Sequence, residues 1–417
     1  MTECGRMAAR RRVREFVSRN KSVFRLGLAA LTISSLADLL AGITLGYMTG
    51  TLELLPGLIV LIPAAIGMRG NIFGAVGSRL GTALHIGTFE LSLKKGSVLR
   101  QNLQSSLLLT MFMSFIMGIL AKLVSDAVGA DSASLASFVF ISVIGGVLAG
   151  LVLVFINLLV AYVGYKREWD IDNISAPIIT AAGDIVTLPM LFIAAIIVLN
   201  LGDIGLSTIV DMAVLAMLAI TVLLAIYALR SRDREVRTVL KESSPVLIFC
   251  ILLDLGAGLA IDNQLTSLVA LPALLVLVPP FLEEANALGG ILTSRMSSLL
   301  HMGLMEPKKA PSKIALENFA ILYIFSLWVF VIVGVFTHIV SLAVGFASPG
   351  LVEMVLLSLT AGICTVTVLN ILSYYVAVST FRFSLNPDNL SIPLTSSTID
   401  LVGSIFLMAF LVVLGLS

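Results

Sequence analysis

Asp184 and Asp400 are the residues of this chain whose surroundings most demand a chemical explanation. Each closes a stretch of the same pattern. Asp172-Asn173, Ser175, Pro177 and Asp184 reappear at one constant offset as Asp388-Asn389, Ser391, Pro393 and Asp400. A polar pair followed by serine and a first-turn proline is a helix-start signal. From Pro177 the Asp184 carboxylate falls roughly 10 Å along the helix, at 1.5 Å per residue. The residues that follow, through Asn200, are nearly all apolar, so each aspartate stands inside a membrane-spanning helix. An ionisable group there is costly and marks a functional site by default. Packing accounts for one such group; it does not account for two in register.

A second pair of stretches adds oxygen and amide donors. Gly67, Gly70, Gly74, Gly77 and Gly81 follow a 3-4-3-4 spacing and share one helix face, as close helix packing requires. Their counterparts at the same offset are Glu283, Asn286, Gly290, Thr293 and Ser297, with Glu284 adjacent. Packing explains glycines but not a carboxylate and hydrogen-bonding groups in hydrocarbon, so a polar path is expected along this face. In or near the membrane, Asp38, Asp184, Asp254, Glu283, Glu284 and Asp400 face only Arg69, Arg79 and Arg295. Some of these acids therefore need a cation or a proton. A structural alternative has Asp38 and Asp254 each bonding Arg79 or Arg295. His85 and His301 fall near the cytoplasmic ends of long helices and read as interfacial or packing residues.

Oxygen ligands without a Cys or His cluster favour a hard cation. Mg²⁺ dehydrates reluctantly and is usually held by one or two carboxylates through its own waters, whereas Ca²⁺ wants more direct oxygens. The expected metal ligands are Asp184 and Asp400, with Asn71, Asn286, Glu283 and Glu284 forming the polar approach. Asp172 and Asp388 either concentrate cations at the cytoplasmic mouth or cap their helices. The ion is cargo, and no cofactor is expected.

The elements that must position these residues are membrane helices. The chain is 58% hydrophobic and 12% charged, with mean hydropathy +1.07, against about 25% charged in soluble domains. Apolar runs long enough to span lie at about 26–48, 54–88, 103–124, 136–163, 174–200 and 207–229. A second set lies at about 245–262, 267–303, 318–343, 350–380 and 390–416, making eleven. The second and eighth exceed one crossing and must tilt, break or run on. Of 26 Lys and Arg, 22 fall on the segments that are cytoplasmic if the chain starts inside, and the loops near 125–135, 201–206 and 344–349 have none. That pattern places a multi-pass protein in the cell membrane with its N-terminus cytoplasmic and its C-terminus outside. A net charge of +1 gives no footing for nucleic acid. Cys4, Cys250 and Cys364 are too few and scattered for a disulfide frame or thiolate site. No cleavable signal peptide is apparent.

The same offset also joins Asp38 to Asp254, Gly42 to Gly258, Leu55-Pro56 to Leu271-Pro272, Pro63 to Pro279 and Ser78-Arg79 to Ser294-Arg295. We expect an all-α polytopic membrane protein with two five-helix repeats. Five spans alone would invert the second copy, and the extra helix at 207–229 restores its direction. The repeats should then be parallel, related by a pseudo-two-fold axis along the membrane normal. The expected divisions are a basic cytoplasmic segment 1–25, a first repeat 26–200, a linker with the extra helix 201–244, and a second repeat 245–417. The internal pseudo-dimer leads us to expect that one chain in the lipid bilayer suffices.

Pro63…Gly70-Asn71…Ser78-Arg79 on the second span, with Asp-x-Asp-Asn-x-x-x-Pro-x-x-x-x-x-x-Asp on the fifth, resembles the membrane domain of the MgtE family. The resemblance is closest to the branch with two fused domains, the solute-carrier magnesium transporters, and covers roughly 38–200 and 250–416. It implies that five-helix units associate two-fold, that the second and fifth helices line the ion path, and that the fifth-helix aspartate binds Mg²⁺. Residue by residue, that role falls on Asp184 and Asp400, and the Gly-Asn of the second span is Gly70-Asn71. The second repeat departs there, reading Glu284-Ala285-Asn286-Ala287. The soluble magnesium-sensing domains of the bacterial members have no counterpart in the 25 residues before the first span.

Two other readings compete. A proton- or sodium-coupled carrier of another cation would use the unequal carboxylates of the second and eighth spans. An intramembrane aspartyl protease would use two aspartates as a dyad, and Pro-Ala-Leu at 272–274 resembles that family. Its order is wrong, since it precedes Asp400, and Ala181-Ala182 stands where the protease needs a glycine. The residues therefore favour a non-enzymatic divalent cation transporter.

Overall fold

The computed structural model describes residues 21–167, 171–230, 233–383 and 387–416, with side chains apart from those at 21–26, 82, 85, 86, 164, 165, 167, 171–177, 180, 383 and 387–392. Residues 1–20 of the basic segment lie outside it, as do the side chains of Asp172, Asp388 and His85. The described residues form helices and no strand. In the first repeat these are α1 (Lys21–Tyr47), α2 (Thr49–Leu54), α3 (Leu58–Ile86), α4 (Val98–Ala127), α5 (Leu135–Arg167) and α6 (Ile171–Asp203). A connecting helix α7 (Ser207–Arg230) follows. The second repeat holds α8 (Arg234–Asp262), α9 (Leu265–Ala270), α10 (Pro272–His301), α11 (Lys313–Val344), α12 (Leu351–Phe383) and α13 (Pro387–Val413). Eleven of these are long and apolar enough to cross a membrane. The fold is an all-α polytopic membrane protein.

The overlong second and eighth spans keep most of their length, as α3 of 29 residues and α10 of 30 residues, each preceded by a short helix set off by a break. α2 and α3 are separated at Pro56-Gly57, where Gly57 takes φ 77°, a conformation that strains any residue with a Cβ. α9 and α10 are separated at Leu271, with Pro272 opening α10, where its missing N–H costs nothing. The expected span 245–262 is longer than read, because α8 already starts at Arg234. Much of the charged segment before it is helical.

The sequence repeat is reproduced as geometry. α2 and α9 match at both ends at the offset of the sequence repeat, as do α5 and α12. Small-residue contacts recur too. Ser142 donates to the Ser114 carbonyl and Ser358 to the Phe330 carbonyl. Gly118 lies against Val139 and Gly334 against Val355.

The repeats exchange their first helices. α1 packs on α10 and α11 of the second repeat, and α8 packs on α3 and α4 of the first. The closest approach is reciprocal. A Cβ on Gly42 would strike the Val276 carbonyl oxygen, and one on Gly258 would strike the Val60 carbonyl oxygen. Such self-complementary contact is the signature of a two-fold interface. Pro280 cannot donate to the Val276 carbonyl four residues earlier, so that oxygen is free to face the α1 backbone. Six spans precede α8, which therefore enters in the direction of α1, as a parallel repeat requires. One continuous apolar core runs through both repeats. α7 lies at its edge, joined to it through Val210, Met217 and Ala228, with Met212, Leu215 and Leu223 exposed.

Gly42→Leu and Gly258→Leu should each destabilise the protein by about 1–3 kcal/mol through overpacking. Gly74→Leu, where nothing lies within 4 Å of a built Cβ, should not. Thermal unfolding in detergent micelles checks this; equal behaviour of all three variants would refute the reciprocal contact.

Candidate cation site

The first helices carry Asp38 and Asp254, so their exchange brings acids from both repeats to the centre. Asp38, Asp184, Asp254, Glu284 and Asp400 are all buried, none more than 4% exposed, and Glu283 is half-buried. The Asp184 and Glu283 carboxyl groups approach to hydrogen-bond range, with Asp38 and Asp400 within electrostatic reach of both. On the other side Asp254 and Asp400 face each other across Gly67. A Cβ built there would stand 3.0 Å from Asp254 Oδ2 and 3.5 Å from Asp400 Oδ2. Asn286 Nδ2 donates to Asp400 Oδ1 at 2.9 Å. Neither Asp254 oxygen has a partner at bonding distance, although the Ser397 hydroxyl stands nearby.

Between the halves lies a small cleft. It is lined by Ile62, Pro63 and Ile66 of α3, by Val278, Pro279, Leu282 and Glu283 of α10, and by Asp400. Ile62, Pro63 and Ile66 are the repeat counterparts of Val278, Pro279 and Leu282, so the cleft sits on the pseudo-two-fold axis. Two acids reach it.

The arginines do not neutralise these acids. Arg79 Nε donates to Asn102 Oδ1 at 2.6 Å and Arg295 Nε to Asn318 Oδ1 at 2.8 Å, the same pair in each repeat. No ion pair among the described residues joins Asp38 or Asp254 to either arginine, which removes the structural alternative. Arg69 is wholly buried, and its Nη2 donates to Ser114 Oγ at 2.8 Å. Gly146 leaves room for that guanidinium, since a Cβ there would meet Nη2.

The other expected site residues are distributed less centrally. Glu284 turns under α1, where Ser35 Oγ donates to its Oε1 at 2.7 Å and Oε2 stays unpartnered. Asn71 lines a separate cleft with Arg79, Ser243 and Pro393, its Nδ2 unpartnered. His301 packs edge-on against Phe381, and its Nδ1 lies 2.8 Å from the Ser297 carbonyl, a packing role. Sequence reasoning left Asp38 and Asp254 open as arginine partners, whereas the structure places them among the central acids. Their register with Gly42 and Gly258, one turn further on, was the available signal. Among the described residues no three acidic, His or Cys side chains converge closely enough to hold a bare metal ion.

The sequence matches the model of the MgtE family, described as a divalent cation transporter, over residues 62–194 and again over 278–410. The chain belongs to the MgtE family. Both matches span the same helices of their repeat, displaced by the offset that relates the two aspartate motifs. Membership makes it a membrane transporter of divalent cations and not an enzyme.

Among curated proteins, this MgtE member is similar to solute carrier family 41 member 3 of Rattus norvegicus. That alignment is 25% identical over 379 residues, 85% of this chain and 79% of the relative. It is also similar to solute carrier family 41 member 2 of Xenopus laevis, 28% identical over 260 residues, 58% of this chain and 43% of the relative. The human member 2 is 27% identical over 261 residues, 58% and 42% respectively. No solved structure matches.

Ser35→Ala strands a wholly buried carboxyl group and should cost about 1–3 kcal/mol of stability. Glu284→Gln keeps an acceptor for Ser35 and should be nearly neutral. A melting-temperature comparison in micelles checks the pair, and the opposite ranking would contradict the assignment.

Proposed function

We propose that this MgtE transporter carries Mg²⁺ along the pseudo-two-fold axis, through a path lined by α3, α6, α10 and α13. The observation that carries the reading is the gathering of buried acids from both repeats around the axial cleft with no arginine to neutralise them. Charges in hydrocarbon are tolerated where a cation or a cavity receives them. Asp184 and Asp400 bind the ion, and Glu283, Asn286 and Asn71 form its polar approach. Asp38 and Asp254 join the binding set. The absence of a tight cage among the described residues favours an ion that keeps waters, which is the habit of Mg²⁺. Glu284, fixed by Ser35, holds α1 against α10 and adds negative potential behind the path.

The distribution of Lys and Arg supports a cytoplasmic N-terminus and an outward C-terminus in the cell membrane. The exchange of first helices supports a single chain, with repeats at about 26–200 and 245–417, as the transporting unit. Asp172 and Asp388 would then lie at the cytoplasmic mouth and raise the local cation concentration.

Purified protein in liposomes should give Mg²⁺ flux, and Asp184→Asn and Asp400→Asn should each lower it at least tenfold. If both variants leave flux and affinity unchanged, the reading is wrong. Imposed Na⁺ and H⁺ gradients separate two mechanisms. Flux that ignores them indicates a channel or uniporter, and flux that follows one indicates a coupled carrier.

A further inference from the structure

The central acids form one cluster, and the axial cleft leads away from it. Glu283 and Asp400 stand at its base, and the rest of its lining is apolar: Ile62, Pro63 and Ile66 against Val278, Pro279 and Leu282. One turn nearer the N-terminal ends of α3 and α10, Leu58, Ile59, Leu274 and Leu275 are at most 2% exposed. Those ends face outward on the topology proposed above. An ion and its waters find no polar side chain on these turns, and an apolar constriction bars ions by excluding water. We propose that the two helix faces are an outward gate, closed in this structure, whose moving leaf is the outer part of α10, residues 272–278, with the loop 345–350. The leaf hinges at Pro279-Pro280 and is latched to α1 by Phe346. This rests on the magnesium-path reading above and adds to it which side is shut and what opens it.

The latch joins the two repeats at their outer ends. Ala273 N donates to the Ala347 carbonyl at 3.2 Å, which ties the loop to the first turn of α10. Phe346 then crosses to α1. A Cβ on Gly46 would strike its ring, and the ring centroid lies 4.9 Å from that of Tyr47, edge to face. Tyr47 ends α1, and the chain runs on through α2 into α3, so this one ring fastens the leaf to the frame it closes against. The hinge follows from covalent structure. Pro279 and Pro280 have no N–H for the carbonyls of Leu275 and Val276, so two successive helix hydrogen bonds are missing at the base of the leaf.

Hinge and latch occur together on one half, and neither occurs at the matched positions of the other. Ala64 stands where Pro280 does, so α3 lacks only the bond that Pro63 removes. Ala130 stands in place of Phe346, and Asp262 and Asn263 in place of Gly46 and Tyr47. Ala133 N donates to the Pro56 carbonyl at 2.9 Å, so that loop is tied to the start of α3, but Ala130 offers α8 no ring. Instead Asp131 lies within electrostatic reach of Asp262, two like charges. α3 is therefore the fixed face and α10 the moving one.

The test is labelling of intact cells that express the full chain with a membrane-impermeant methanethiosulfonate reagent, the modified cysteine being located by mass spectrometry. Ala127→Cys, exposed at the outer end of α4, should label quickly, and Ile66→Cys, at the inner edge of the gate, slowly. Adding Phe346→Ala should speed labelling of Ile66→Cys about fivefold, the weight of one aromatic contact, and leave Ala127→Cys unchanged. Pro280→Ala, which restores a helix N–H, should bring that faster rate back toward its starting value. Hydrogen exchange on the unmutated protein stands if any variant fails to fold: residues 272–278 and 345–350 should exchange together and faster than 58–62. Labelling of Ile66→Cys as fast as Ala127→Cys, no effect of Phe346→Ala, or equal exchange of 58–62 and 272–278 overturns the gate and leaves the transport reading intact. Failure of Ala127→Cys to label overturns its outward direction. The transport reading is tested separately, by Mg²⁺ flux of the unmutated protein in liposomes, and its absence overturns that reading without altering the labelling result.

Discussion

A carboxylate in hydrocarbon must find donors, a proton or a cation, and this requirement governs the centre of the molecule. Removing an isolated ionised group from water is too costly for packing to offset. The chain nevertheless buries acids from several different spans near one axis. Its membrane arginines are occupied elsewhere, with Arg79 and Arg295 on Asn102 and Asn318 and Arg69 on Ser114. The exchange of α1 and α8 between repeats is what delivers Asp38 and Asp254 to the centre. Tight backbone contact at Gly42 and Gly258 holds those helices in place. Charge, crossing and glycine form one dependency.

Pseudo-symmetry supplies the frame, and departures from it supply the differences. In the first repeat Arg69 and Ser114 share an interior that Gly146 keeps open. In the second repeat the same places hold Ala285 and Phe330, and the Phe330 ring packs against Gly362 and Phe281. A polar arrangement in one half is thus replaced by an apolar one in the other. The same kind of exchange separates Gly67 from Glu283. The backbone repeats while individual side chains diverge.

The fold was legible because membrane constraints write themselves into composition. Apolar runs gave the spans, and one constant offset between matching motifs gave the repeat. The charge pattern then agreed with an alternating order of the segments between those spans. What the runs hid were the short helices: α2 fell largely between two spans, and α9 read as continuous with the helix it precedes. The candidate site was legible in part. Asp184, Asp400 and Glu283 stood out because an acid in an apolar run is conspicuous, and the structure brings them together. The partners of Asp38 and Asp254 did not stand out, since which helix crosses to which repeat depends on three-dimensional packing that no local pattern encodes. The inward turn of Glu284 toward Ser35 was invisible for the same reason: adjacent glutamates on one helix point about 100° apart.

The exchange of first helices also fixes an order of events during synthesis. The face of α1 that carries Ser35, Asp38 and Gly42 has its partner on α10, which leaves the ribosome only after the rest of the first repeat, α7 and α8. At roughly 5–20 residues per second, the first repeat waits in the bilayer for tens of seconds with an acid-bearing face uncovered. It must be sheltered in that interval by lipid defects, water or the insertion machinery. The second repeat has no such wait, because α3 and α4 are already present when α8 arrives. The two halves look alike when finished, yet the nascent chain reaches them by unequal routes.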